Sequence, residues 1–174
     1  IKVLKRFKIK LKSLEDVSCC PEPLSMQVLN PKAWYTIAAR NICLAEKEGL
    51  DLITLCNGCN ATLFRVNEDL KTNDELRMKI NEYLKKIGKK FEGTITVKSI
   101  LRVLYEDVGL EEIKGHIKKN AQNAQNVKAA VHYGCHIFDE IKHYDNPKNP
   151  VSLKNLVKAV GANVVSYPSE MLCC

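Results

Sequence analysis

The sequence has no apolar run that approaches the roughly 18 to 20 residues of a membrane-spanning helix. Proline and glycine are scarce, at six and eight of 174 residues, while 45% of the residues are hydrophobic and 27% are charged. This composition is typical of a soluble globular protein, and the length suits one ordinary domain or two small ones. We therefore expect a protein with a substantial hydrophobic core and no direct membrane insertion.

Aromatic residues are also few, at 6%, and no aromatic motif for stacking on bases is present. The net charge of +7 would by itself suggest nucleic acid as a partner. The basic residues are, however, mostly lysines interspersed with glutamate and aspartate along predicted helices. That pattern favours a solvated charged surface or an acidic protein partner, and we expect no nucleic-acid partner.

Cysteine is the residue type that is abundant, with eight in the chain. A disulfide framework is typical of short, loop-rich secreted chains, whereas these cysteines lie within strand and helix patterns like those of a cytosolic α/β protein. Metal or cluster ligation is therefore the leading interpretation. The chain begins with Ile1 rather than Met, so a preceding signal peptide stays an open alternative.

Predicted strands alternate with predicted helices along the chain, which favours parallel α/β layers. The best-defined helix begins at the N-cap Asn30, has Pro31 in its first turn and stops at Gly49. A polar, low-complexity stretch at 121–126 predicts a junction between two pseudo-repeated units, 1–126 and 127–174, the second incomplete. The predicted strands are 7–20, 50–56, 93–99, 127–135 and 163–168.

The cysteines have a common position relative to these strands. In parallel sheets, ligands gather at the carboxyl ends of strands. We therefore expect a shared site from the cysteines at or just beyond such ends, which are Cys19, Cys20, Cys56, Cys135, Cys173 and Cys174.

The cysteine spacing suggests two incomplete copies of one pattern. The first unit has the vicinal pair Cys19–Cys20, a gap of 35 residues, and the Cys-x-x-Cys pair Cys56 and Cys59. The second has Cys135, a gap of 37 residues, and the vicinal pair Cys173–Cys174. A complete copy would read Cys, gap, Cys-Cys, gap, Cys-x-x-Cys. We therefore expect the chain to be a window from a longer protein, with roughly 20 residues missing in front and at least about 40 behind.

A multi-iron cluster suits this spacing better than a zinc ion. Structural zinc takes four tetrahedral ligands, usually from two short-spaced pairs. Adjacent cysteines point to opposite sides of an extended backbone, so they serve one ion poorly but can serve different irons of a cluster. Zinc, structural thiols and a vicinal disulfide remain alternatives.

Several segments together carry a family resemblance: SCCPEP, AARNICLAEKEGLDLITLCNGCNATL, VLYEDVGLEEIK, VHYGCH and YPSEMLCC. From about Val17 onward the chain resembles the B subunit of the CoB–CoM heterodisulfide reductases of methanogenic archaea, which carries two cysteine-rich CCG domains. The resemblance implies a noncubane [4Fe–4S] cluster in each domain, held by five cysteines, and thus two clusters in the full-length parent. The clusters would reduce the heterodisulfide of coenzyme M and coenzyme B to two thiols.

The same resemblance implies ligands, partners and location. It assigns Cys19, Cys20, Cys56 and Cys59 to the first cluster, and Cys135, Cys173 and Cys174 to the second. The first copy lacks its fifth cysteine and the second its Cys-x-x-Cys, so we expect no second cluster and no activity from this chain alone. Electrons would come from the iron–sulfur C subunit, and through it from the flavin-containing A subunit or a membrane cytochrome-type partner. The expected location is the cytoplasm.

Two other functions remain open: an iron–sulfur subunit of a lactate, glycolate or succinate oxidoreductase, and a zinc-stabilised binding module without catalysis.

Cys43 fits no position of the two cysteine units and is expected to be a packed core thiol. His132 and His136 flank Cys135, and each either serves the cluster or is an ordinary strand-end histidine. Arg40 is one candidate for binding the anionic groups of the substrate.

Overall fold

The structure is a computed structural model that describes residues 2–117, 124 and 126–172. The described helices are α1 Lys2–Arg6, α2 Ser25–Leu29, α3 Pro31–Glu48, α4 Asn57–Thr72, α5 Asp74–Lys85, α6 Ile100–Arg102, α7 Leu110–Gly115, α8 Phe138–Ile141 and α9 Ser152–Ala159. A π-helical turn, Val103–Val108, continues α6, and a 3₁₀ turn, Cys135–Ile137, precedes α8. The described strands are β1 Leu52–Thr54, β2 Val97–Ser99, β3 Lys128–Ala130 and β4 Asn163–Val165.

The described strands form two parallel pairs. β1 pairs with β2, with Leu52 opposite Val97, and β3 pairs with β4, with Lys128 opposite Asn163. Each pair is connected through helices, as parallel strands require. The predicted α/β class is therefore confirmed, although the strands are shorter than their sequence patterns suggest.

The predicted strand at 7–20 is wrong. Beyond α1 this segment has no regular structure, and the N–H group of Ile9 donates a hydrogen bond to the carbonyl oxygen of Leu4. Lys8 and Asp16 have φ angles of +59° and +62°, in the left-handed region that non-glycine residues seldom adopt. These two bends interrupt the extended backbone, so the alternating pattern does not produce a ladder of hydrogen bonds.

The predicted boundaries of α3 are confirmed. The Asn30 side chain accepts a hydrogen bond from the Ala33 N–H group at 3.1 Å, and Pro31 is the first helical residue. Gly49 ends the helix in the left-handed conformation, with φ +63°. The buried face of the helix carries Trp34, Ala38, Ala39, Asn41, Ile42, Cys43 and Ala45. Asn41 is the one polar residue among these, and its side chain bonds to Ser18, next to the vicinal cysteines.

The larger core lies between α3, α4, α5 and the β1–β2 pair. Cys43 belongs to this core, where burial raises the pKa of its thiol to about 12, as expected of a packed thiol. A second, smaller core is formed by Val131, Tyr133, Ile137 and Ile141. α4 joins the two cores, because the 3₁₀ turn and α8 pack against it.

No helix within the described part of the chain has the length and apolar character needed to cross a membrane. The junction predicted at 121–126 falls almost entirely outside the described residues. The division into units 1–126 and 127–174 therefore stays a prediction.

Candidate metal centre

Three of the predicted cysteines surround one cavity beyond the carboxyl end of β1. The cavity has a volume of about 250 Å³, and Cys20, Cys56 and Cys59 contribute to its wall. The rest of the wall is mainly apolar and consists of Leu14, Val17, Ser18, Asn41, Leu52, Ile53, Thr54, Leu55 and Leu63. The strand-end position predicted for Cys56 is confirmed, since this residue is the N-cap of α4 and follows β1 closely.

The loop that carries the vicinal pair Cys19–Cys20 is held on both sides. On one side, the Asn41 side chain donates to the Ser18 carbonyl oxygen at 2.9 Å and accepts from the Ser18 N–H group at 3.2 Å. On the other, the Thr62 hydroxyl donates to the Pro21 carbonyl oxygen at 2.9 Å. Asn41 lies on α3 and Thr62 on α4, so two core helices fix a loop that has no secondary structure of its own.

Cys56 is placed to become a thiolate. The backbone N–H group of Cys59, supported by that of Gly58, lowers the pKa of this thiol and outweighs the opposing effect of burial. These groups belong to the first turn of α4, whose N–H groups have no acceptor within the helix. A methyl group added at Gly58 would lie 3.8 Å from the Cys56 sulfur, which is ordinary contact. The glycine is therefore not required here for space.

The other two thiols are held protonated by their surroundings. Burial, followed by the neighbouring charge and hydrogen bond of Cys59, raises the pKa of Cys20 to about 12. Burial also raises the pKa of Cys59, and the charge of Cys56 adds to this effect. Cys59 therefore interacts electrostatically both with Cys20 and with Cys56. The three thiols cannot all ionise together unless a cation compensates their charges.

This order of acidity predicts an order of alkylation. In the reduced, metal-free chain at neutral pH, iodoacetamide should modify Cys56 at least about tenfold faster than Cys20, because only the thiolate reacts. Time-resolved peptide mapping by mass spectrometry measures both rates. Cys43, which is buried in the core, is the internal control and should react only after unfolding. Equal rates for Cys56 and Cys20 would contradict the assigned environments.

The remaining predicted ligands are less completely described. Cys135 is exposed and opens the 3₁₀ turn that packs against α4, while Cys19 is exposed beside Cys20. Cys173 and Cys174 lie outside the described residues. Within the described ranges, no three His, Cys, Asp or Glu side chains have the arrangement of a ready-made site for a single metal ion.

His132 and Arg40 have local partners. A ring nitrogen of His132 lies 3.2 Å from the Tyr167 hydroxyl. Arg40 donates to the Asn41 side chain at 3.0 Å, so it adjoins the contact that holds the vicinal-pair loop.

Sequence reasoning missed a buried network beneath the cysteine turn. The Thr54 hydroxyl donates to the Asn60 side-chain oxygen at 2.8 Å, and the Asn60 amide donates to Glu140 at 2.8 Å. The Ser99 N–H group donates to the other oxygen of Glu140 at 2.9 Å. A polar Asn directly after Cys59 was a visible signal for part of this network. Glu140 gave none, because it is 80 residues away from Asn60 in the chain.

Comparisons with known proteins place these features in a family. The CCG family, described as a cysteine-rich domain, matches residues 1–64 and 129–174. The B subunit of the ferredoxin/F(420)H(2)-dependent CoB-CoM heterodisulfide reductase of Methanosarcina acetivorans is 35% identical over 173 residues, which cover 98% of this chain and 56% of that protein. A protein of Archaeoglobus profundus, named as similar to the heterodisulfide reductase B subunit, is 37% identical over 170 residues, covering 95% of this chain and 56% of that protein.

A relative with a different named activity is similar to the same degree. The 8-methylmenaquinol:fumarate reductase membrane anchor subunit of Wolinella succinogenes is 36% identical over 168 residues, covering 95% of this chain and 56% of that protein. The chain thus spans about half the length of the curated relatives it matches. The family match covers well over half of the chain and includes the vicinal cysteine pair and the Cys-x-x-Cys pair. The chain therefore belongs to the cysteine-rich domain (CCG) family.

Proposed function

We propose that this chain is part of the iron–sulfur subunit of a heterodisulfide reductase, which reduces the disulfide of coenzyme M and coenzyme B to two thiols. The observation that carries the proposal is that three thiols, Cys20, Cys56 and Cys59, line one mainly apolar cavity and influence one another's pKa. The similarity to proteins whose names refer to the heterodisulfide reductase B subunit supports it.

The first proposed cluster is a noncubane [4Fe–4S] group with Cys19, Cys20, Cys56 and Cys59 as ligands. These residues fit such a group because crowded thiols that resist joint ionisation become good ligands once a cationic centre neutralises them. When bound, the cluster would supply electrons and iron atoms able to bind sulfur. The chain's own contribution is to hold the vicinal pair through Asn41 and Thr62 and to supply Cys56 as a thiol of lowered pKa.

The apolar wall of the cavity has a separate role in this proposal. Leucine and valine side chains limit the access of water to the half-buried Cys20 and Cys59, while Cys19 and Cys56 are exposed to solvent. An open side of this kind would let a small disulfide approach. A dry interior on the other side would favour electron transfer to that disulfide over side reactions.

The second proposed cluster would use Cys135, Cys173 and Cys174, with further cysteines from a longer protein. Two clusters in the full-length protein would allow one electron from each to reach a disulfide, whose cleavage consumes two. The proposed partners are an electron-donating iron–sulfur C subunit and, through it, a flavin-containing A subunit or a membrane cytochrome-type partner. The names of the relatives as subunits of reductases support the need for protein partners.

A second candidate function is supported by the Wolinella succinogenes relative, whose name specifies fumarate reduction. Because its identity to this chain, 36%, is close to the 35% of the heterodisulfide reductase relative, the cysteine site would also suit an oxidoreductase with another electron acceptor. The site would then transfer electrons without cleaving a disulfide.

Metal analysis after anaerobic reconstitution with ferrous iron and sulfide tests the cluster. We expect about four irons per chain, with visible iron–sulfur absorption. Retained zinc without that absorption would contradict the proposal and favour a zinc-stabilised binding module.

The reaction is tested on the protein of the complete reading frame, assembled with its partner subunits. Release of coenzyme M and coenzyme B thiols is expected, and an iron-loaded complex without thiol release would favour the second function.

A further inference from the structure

The buried network connects the cysteine helix to the second predicted unit. Glu140 is only 1% exposed, and both of its carboxylate oxygens are occupied. One oxygen accepts from the Asn60 amide on α4, and the other accepts from the Ser99 N–H group at the end of β2. A buried carboxylate from the second unit thus obtains both of its hydrogen-bond donors from the first.

Asn60 is the link between this carboxylate and the cysteines. It follows Cys59 directly, and its backbone N–H group donates to the Cys56 carbonyl oxygen at 2.9 Å, which closes the first turn of α4. Its side chain is fixed at both ends, by the Thr54 hydroxyl and by Glu140. The turn that separates the two thiols is therefore anchored through one buried amide side chain.

From this geometry we infer that Glu140 is a positioning residue for the Cys56–Cys59 turn, so that metal binding by the first unit depends on a side chain of the second. Glu140 acts through Asn60 and contacts neither thiol. A carboxylate that accepts a hydrogen bond in a buried site holds its donor more firmly than a neutral acceptor does. Fixing Asn60 therefore fixes the spacing of the two sulfurs.

Other contacts of α4 with α8 and with the residues that follow α8 provide a control for simple packing. Arg65 forms an ion pair with Asp139, whose side chain is one-third exposed. The Phe64 ring lies edge-on to His143, with 5.1 Å between ring centroids. These contacts begin more than a helical turn beyond Cys59, so they hold the helices together without reaching the cysteine turn.

The test uses cobalt(II) as the metal probe on the reduced 174-residue chain without oxygen. Thiolate-to-cobalt charge-transfer absorption measures the affinity, and peptide mapping measures the rate at which iodoacetamide modifies the half-buried Cys59. In E140Q, one acceptor oxygen becomes an amide N–H₂ group, which faces one of the two buried donors and cannot accept its hydrogen bond. We expect the cobalt affinity to fall by about tenfold to a hundredfold, the usual effect of losing a supporting contact around metal ligands. The Cys59 modification rate should rise by about tenfold.

Three further variants separate positioning from stability. D139N removes the neighbouring ion pair and should leave the affinity and the Cys59 rate near those of the unmodified chain. N60D/E140Q exchanges the two groups, so the carboxylate at position 60 accepts from the amide at position 140, and should restore most of the affinity. T54V removes the opposite anchor of Asn60 without touching Glu140. It should reproduce the E140Q effect if that variant is too unstable to measure.

An unchanged cobalt affinity and Cys59 rate in both E140Q and T54V would overturn the inference. Equal losses in E140Q and D139N, without restoration in N60D/E140Q, would also overturn it, because they would show that Glu140 only holds the two helices together. The inference rests on the proposed function for the assignment of the cysteines as ligands. If the unmodified chain binds no cobalt, that assignment fails, and the Cys59 rates still decide the role of Glu140.

Discussion

Replacing Cys59 with serine should abolish iron–sulfur assembly in the reconstituted chain. Cys59 lines the cavity together with Cys20 and Cys56, and it interacts electrostatically with both thiols. Its removal therefore takes one of the three sulfurs out of the cavity wall, and a serine hydroxyl does not ionise near neutral pH to replace the thiolate. We expect the iron content to fall from about four to below about one iron per chain, with loss of the visible absorption.

The matched control for this prediction is Cys43→Ala. Cys43 lies on the buried face of α3, within the larger core, and it is not part of the wall of the cysteine cavity. Its truncation should cost only about 1 kcal/mol of stability and leave the iron content unchanged. Full iron content in C59S, or an equal loss in C43A, would contradict the assignment of the cavity as the cluster site.

Replacing Trp34 with alanine should produce the largest loss of stability among single core substitutions. Trp34 is 0% exposed and is the largest of the fully buried side chains in the described residues. Truncation of a buried Trp typically costs about 3–5 kcal/mol, a large share of the roughly 5–15 kcal/mol that stabilises a domain. Urea unfolding followed by circular dichroism measures this change in the free energy of unfolding.

The same substitution should also change the reactivity of the cysteine site. Trp34 and Asn41 lie on one buried face of α3, about two helical turns apart, and Asn41 holds the loop of the vicinal pair. Loosening this helix should therefore speed the alkylation of Cys20. Trp34→Phe is the control: it keeps an aromatic ring and removes an indole N–H group that has no hydrogen-bond partner in the described part of the chain. A loss in W34F as large as in W34A would contradict the packing argument.

Features that depend on neighbouring residues were predictable from the sequence. The N-cap Asn30, Pro31 and the left-handed Gly49 define α3 through interactions within a few residues, so its bounds agree with the structure. Cys56 was likewise predictable at the end of a buried strand, because a short apolar run followed by a helical pattern determines it. Cys43 was predictable as a core thiol because it fits no position of the two cysteine units and lies within the predicted helix, and it is buried in the larger core.

Features that depend on distant residues or on unusual backbone conformations were not predictable. Alternating residues in 7–20 suggested a strand, but the left-handed conformations of Lys8 and Asp16 leave no sign in the hydrophobic pattern. The contact of Asn60 with Glu140 requires knowledge of how α8 packs on α4. The assignment of the cysteines as cluster ligands stays a prediction, because the placement of thiols does not by itself identify the metal that they bind.

The hydrogen bond between Asn60 and Glu140 should also couple the unfolding of the two predicted units. Melting the second predicted unit alone would leave the Asn60 amide and the Ser99 N–H group without their acceptor inside the first. A hydrogen bond to a charged group contributes about 1.5–3 kcal/mol, so unfolding of the second unit alone would also destabilise the first. The two units should therefore lose their structure in one cooperative transition, and a chain cut between them should not yield two independently stable domains.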